Sequence, residues 1–233
     1  DAGIAIVNLE RPLEPRIEAV VPLPGARASV LQFRYLLVAH AGGMRVVDVT
    51  VPARARVVEA AQIDLAGGAH RIYVARTYAY VAAGRDGLAI VDVENPERPR
   101  LLQKFTAEGA LNDARDVIVG STNASLFAYV ADGANGLRVI QLTAPDSQPK
   151  FYGFSPEPRP RLIASRKTAS AALALSRGLE RDRAVDETGG QIAVFGRVGS
   201  RPFDLAEQRR MYLKPDLQPW TVRDAGQPGE FRR

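Results

Sequence analysis

The sequence contains no cysteine, which excludes disulfides, thiolate metal sites, a cysteine nucleophile and haem attachment through a Cys-x-x-Cys-His motif. Histidine is nearly as scarce. With only His40 and His70, a multi-histidine metal centre or a Ser-His-Asp triad has few ways to be assembled. Lysine is rare as well, 4 residues against 27 arginines. No five-residue basic cluster occurs, so the basic excess does not resemble a nucleic-acid surface. No apolar run approaches the roughly 20 residues that span a bilayer core. These shortages lead to the expectation of a protein with no catalytic residues, no metal and no resident cofactor, binding no nucleic acid and crossing no membrane.

What is present is a chain of 233 residues, 46% hydrophobic and 24% charged, long enough for one large domain or two ordinary ones. It opens on Asp-Ala-Gly rather than on methionine and a charged segment, and upstream residues are therefore expected. The formal net charge is +5 and is unevenly placed. Residues 1–150 hold 16 basic and 16 acidic side chains, whereas residues 151–233 hold 15 and 10. The two parts present different surfaces.

One phrase recurs four times: Gly3-Ile-Ala-Ile-Val-Asn-Leu-Glu-Arg-Pro12, Gly43-Met-Arg-Val-Val-Asp-Val-Thr-Val-Pro52, Gly87-Leu-Ala-Ile-Val-Asp-Val-Glu-Asn-Pro96 and Gly136-Leu-Arg-Val-Ile-Gln-Leu-Thr-Ala-Pro145. The proline always lies nine residues after the glycine, so length variation falls between copies. Short β-branched runs bounded by turn formers read as strands. In the third copy these are 71–76, 77–84, 88–93 and 99–105, and in the fourth 116–120, 126–133, 137–142 and 150–154. Four strands in about 40 residues make a propeller blade.

The phrases Ala79-Tyr-Val-Ala-Ala-Gly-Arg-Asp-Gly-Leu-Ala-Ile-Val-Asp-Val-Glu-Asn-Pro-Glu-Arg-Pro99 and Ala128-Tyr-Val-Ala-Asp-Gly-Ala-Asn-Gly-Leu-Arg-Val-Ile140 resemble the LVIVD repeat, a β-propeller family of bacterial and archaeal surface or secreted proteins. The resemblance covers residues 1 to about 155. It implies an all-β propeller and an extracytoplasmic setting at the cell surface, secreted or in the periplasm. It transfers no catalytic residue, because the family has no uniform activity.

The expected organisation is a half blade at 1–24, whole blades at 25–60, 67–106 and 113–155, and a degenerate blade at 162–200 whose strands fall near 168–176, 183–186 and 191–196. Propellers have four to eight blades, so these belong to a larger ring. Asp204 and Glu207 have capping-box spacing before a helix running to about Leu213. Beyond it, residues 214–233 form an arm rich in proline and glycine.

Asp48 and Asp92, with Asn8 and Gln141 at matching positions, are expected to cap the turn after each third strand. Asp86, Asp132 and Asn135 belong to hairpin loops, and their spacing is that of turn chemistry rather than a calcium loop. The first strands begin at Ala28-Ser29, His70-Arg71 and Arg115-Asp116, where a propeller's channel opens. His70, Arg71, Arg115 and Asp116 are thus ligand candidates, better suited to an anion or a partner's carboxylates than to a metal. His40, at the end of a second strand, reads as a surface histidine. Tyr152, Arg181, Arg183, Arg210, Trp220 and Phe231 are candidates for partner contacts.

The function expected from this reading is a non-enzymatic interaction or scaffold module. Its partner is another protein chain or an upstream part of the same polypeptide. Two alternatives stand beside it: an accessory subunit of a multihaem c-type cytochrome complex, and a propeller hydrolase or lyase. The second requires a cluster of acids, histidine or tyrosine at one channel mouth, which the sequence does not show.

Overall fold

The computed structural model describes residues 3–122, 125–145, 155–176, 197–198 and 201–219, and the chain divides into two compact units, 1–176 and 177–233. The first unit is built from antiparallel sheets. β1 (Gly3–Asn8) and β2 (Arg16–Pro22) form a ribbon, and three sheets of four strands follow. The second sheet comprises β3 (Ala26–Gln32), β4 (Tyr35–His40), β5 (Gly43–Asp48) and β6 (Arg56–Asp64). The third comprises β7 (Arg71–Ala75), β8 (Tyr78–Ala82), β9 (Leu88–Asp92) and β10 (Arg100–Phe105). The fourth comprises β11 (Asp116–Thr122), β12 (Ser125–Ala131), β13 (Leu137–Thr143) and β14 (Arg161–Arg166). Within each sheet the strands follow chain order, as in a propeller blade.

The sheets stack face to face, and this stacking makes the core. In β8, Ala79 and Val81 join a cluster with Leu37, Met44 and Val46 of the second sheet. Tyr80 and Ala82, on the opposite face, join Val117, Val130 and Ile140 of the fourth. Burial on both faces explains why β8 and β9 read as continuous apolar runs without alternation. The first strands β3 and β11 both lie against β7. Reciprocal backbone pairs, Gly84 with Ala114 and Gly133 with Ala172, tie the segment after β8 to the approach to β11 and the segment after β12 to residues 168–176.

The repeat phrase has a common register. Its acid or amide stands directly opposite an arginine at the start of the fourth strand: Asn8 opposite Arg16, Asp48 opposite Arg56, Asp92 opposite Arg100 and Gln141 opposite Arg161. Three of these pairs bond through side chains, at 3.5 Å for Arg56–Asp48, 2.9 Å for Arg100–Asp92 and 2.7 Å for Arg161–Gln141. In the first, third and fourth sheets the partner strand bulges just beyond the arginine, leaving Glu18, Leu102 and Ile163 without a register partner. A bulge repeated at one register is a built feature of the strand.

The strands of the third sheet lie where the sequence places them. The fourth sheet differs at its outer edge, which is Arg161–Arg166; the expected strand at 150–154 lies outside the described residues. The segment beginning at 162 therefore completes the fourth sheet instead of opening a further one. Residues 168–176, expected as a first strand, hold one isolated bridge at Ala172. The expected strands near 183–186 and 191–196 are outside the described residues.

In the second unit, α1 (Leu205–Tyr212) starts at a capping box. Asp204 Oδ1 accepts the Glu207 N–H at 2.8 Å and Glu207 Oε2 accepts the Asp204 N–H at 2.9 Å. Phe203 is buried with its ring 6.3 Å from that of Tyr212. Two short strands, β15 (Arg197–Val198) and β16 (Arg201–Pro202), pair just before it. Among the described residues no helix is long and apolar enough to cross a membrane.

Candidate functional site

The adjoining starts of β3, β7 and β11 bring four of the expected residues together and add two. Arg71 Nε lies 3.5 Å from Asp116 Oδ1, and Arg115 Nη2 lies 2.5 Å from Asp113 Oδ1. Arg27 Nη1 donates to the Ala69 carbonyl at 3.2 Å and lies 3.4 Å from His70 Nδ1. Because a guanidinium only donates, Nδ1 of His70 accepts, and its proton sits on Nε2. Two glycines make room. A Cβ on Gly68, whose φ is +67, would lie 3.2 Å from Arg27 Nη1, and one on Gly84 would lie 3.4 Å from His70 Nε2.

Burial, and then the positive charges of Arg27 and Arg115, hold the His70 imidazole below its ordinary range; Asp113 acts in the opposite sense. His70 is therefore neutral at pH 7. Asp116 is buried and has a structural task. Its Oδ1 accepts the Val117 N–H at 2.8 Å and its Oδ2 the Leu175 N–H at 2.8 Å. The three arginines and two aspartates leave one positive charge in excess, centred on Arg27. Among the described residues the enclosed Arg115 Nε has no hydrogen-bond acceptor.

Arg27 and Asp113 were not among the expected residues. In β3, Ala26 pairs with His40 and Ala28 with Ala39, so Arg27 is an extra, bulged residue, and a bulge re-aims its side chain. Strand alternation alone gives no sign of it. Asp113 precedes β11, and its position is set by Gly133: a Cβ there, at φ +48, would overlap Asp113 Oδ2 at 1.8 Å.

The loop acids serve as latches. Asp132 is fully buried, accepts the Asn112 and Asp113 N–H groups at 3.2 and 2.7 Å and pairs with Arg138 at 3.1 Å. Asp86 accepts the Gly67 N–H at 3.1 Å and the Lys104 ammonium at 3.2 Å, while Asn135 donates to Asn112 at 2.9 Å. Asn8, Asp48 and Asp92 each accept the N–H two residues on, at 2.9, 2.9 and 3.0 Å; Gln141 instead accepts from Arg161. His40 is half-buried and not a plain surface residue. Its Nδ1 accepts the Gly42 N–H at 2.9 Å and its Nε2 lies 2.8 Å from the Pro24 carbonyl. Among the described residues no three His, Asp or Glu side chains gather as a metal site.

Of the partner-contact candidates, Arg210 lies exposed on α1. Tyr152, Arg181, Arg183, Trp220 and Phe231 lie outside the described residues. A separate cleft of about 420 Å³ runs between Leu102 and Gln103 of β10 and the segment Glu157–Pro160. Gln103 closes across it to the Pro158 carbonyl at 3.3 Å.

Comparison with known families matches the LVIVD repeat to residues 66–107 and 113–152, spans that contain all of β7–β10 and β11–β13. No curated protein matches the chain.

Proposed function

We propose that the chain, which carries two LVIVD repeats, is a non-enzymatic, propeller-like interaction module that works outside the cytoplasm. The observation that supports this most directly is the β1–β2 ribbon. β1 begins with the repeat glycine and faces its arginine-bearing neighbour as every third strand does, yet among the described residues it pairs with one strand, where β5, β9 and β13 each pair with two. The ribbon and its turn also expose Leu9, Leu13, Ile17 and Val20, with Leu13 97% and Ile17 66% exposed. Exposed apolar side chains beside a strand edge with no neighbour among the described residues are what a partner covers.

A scaffold role also agrees with how the buried polar groups are engaged. Asp116 and Asp132 hold backbone N–H groups and arginines, and Thr143 Oγ1 accepts the Leu126 N–H at 3.2 Å. The partner is another protein chain or an upstream part of the same polypeptide, seated on the ribbon.

Cross-linking of the natively purified protein, read by mass spectrometry, tests the reading. Links are expected from the ribbon to residues beyond these 233, and absorption near the Soret band would identify that partner as a haem protein. A monodisperse 25.2 kDa monomer without a companion chain would count against it.

A further inference from the structure

We propose that the mouth formed by Arg27, His70 and Arg115 is a binding site for a single carboxylate, from a small organic acid or from a Glu or Asp side chain. Arg71 and Arg115 each have an aspartate partner, Asp116 and Asp113. Among the described residues Arg27 has none: its bonds go to a carbonyl oxygen and to a neutral imidazole. One uncompensated guanidinium at a surface fits a monoanion. A phosphate dianion would bring a second negative charge towards Asp113 and Asp116, and that repulsion disfavours it.

Donor geometry points the same way. Arg27 retains N–H groups beyond those it uses on Ala69 and His70. A carboxylate oxygen reaching the mouth satisfies these spare Arg27 donors.

His70 is the third part of the site. It is held neutral by burial and by the cations of β3 and of the segment before β11, against the single opposing carboxylate of Asp113. Ala69, Gly84 and the Ala82 carbonyl, which accepts its backbone N–H, also lie beside it and are uncharged. An arriving carboxylate offsets the cations and favours imidazolium. Binding and protonation are therefore linked, and affinity rises as pH falls through the His70 titration.

The chain has two histidines, so the experiment reads each separately. Long-range ¹H–¹⁵N spectra of the full chain are titrated with pH at constant ionic strength, in chloride, acetate, phosphate, and a blocked Gly-Glu-Gly peptide with its Gln counterpart. Saturating acetate or Glu peptide is expected to raise the His70 midpoint by about half a unit, a threefold linkage, and to leave His40 in place. Action of the Glu peptide well below the acetate concentration assigns the site to a protein side chain, and equal action assigns it to a small acid.

Two variants control the reading. Arg27→Gln, without ligand, raises the His70 midpoint by removing a neighbouring cation, which also verifies that the variant is folded; it abolishes the acetate response. Arg27→Lys keeps part of that response. A His70 midpoint unmoved by carboxylate, a response undiminished in Arg27→Gln, or a larger effect from phosphate than from acetate overturns the proposal.

Discussion

Arg138 donates its Nε–H to Oδ2 of Asp132 across 3.1 Å, while Oδ1 of the same fully buried carboxylate holds the backbone of Asn112 and Asp113. One side chain thus fastens the end of β12 to β13 and to the approach to β11. Asp132→Ala would strand an arginine and two N–H groups in a buried setting. The expected loss is about 3 kcal/mol, measured as a lowered urea midpoint; Arg138→Gln should lose less, because its partner keeps two backbone donors.

Tyr80 is fully buried between the third and fourth sheets, and among the described residues its hydroxyl has no hydrogen-bond partner. Removing the hydroxyl removes a desolvation penalty, so Tyr80→Phe should be neutral or more stable by about 1 kcal/mol. Burial pushes the phenol's pKa above its ordinary value of 10.0. The neutral form is favoured in the fold, so the stability contributed is complete below pH 10 and declines above it. In Tyr80→Phe the alkaline limb of the stability profile should flatten.

Gly133 and Gly109 both have positive φ, +48 and +91, but a Cβ at 133 would overlap Asp113 whereas one at 109 meets nothing within 4 Å. Gly109→Ala should therefore show backbone strain alone, about 1 kcal/mol. Gly133→Ala adds displacement of Asp113 and should lower the thermal midpoint by clearly more. Equal losses would mean that the loop moves aside without cost.

The Thr50 hydroxyl and backbone N–H, in that order, together with Arg56 and Arg34, hold the Asp48 carboxyl below its ordinary value of 3.8 despite some opposing desolvation. A depressed carboxyl stabilises the fold above its unfolded value, and the contribution disappears as pH falls through the folded one. Thr50→Val removes the hydroxyl donor. The Asp48 titration followed by NMR should move up, and acid unfolding should begin at higher pH, with stability at pH 7 reduced by less than about 1 kcal/mol.

The strands were legible because each copy separates its runs with glycine and proline at fixed distances, and a two-sided core demands unbroken apolar runs. The misplaced outer edge of the fourth sheet shows what that reading lacked. Arg98-Pro99-Arg100-Leu101 recurs as Arg159-Pro160-Arg161-Leu162, but the second occurrence is displaced by an insertion, so counting from the third strand lands on 150–154. Pairing of Gln141 with Arg161 settles the register. At the mouth, His70, Arg71, Arg115 and Asp116 could be found by aligning first-strand starts. Arg27 could not, since a bulge breaks the alternation on which that alignment depends.

The arginine facing each acid or amide has a consequence for how such a chain can change. Seven residues separate the two partners in the first three sheets and nineteen in the fourth, yet the fourth strand docks at the same rung and in three sheets bulges one step later. Strand placement is thus independent of the length of the connecting loop. A sequence inserted there leaves the register of the fourth strand unchanged, which makes this connection the natural place to graft a new recognition element.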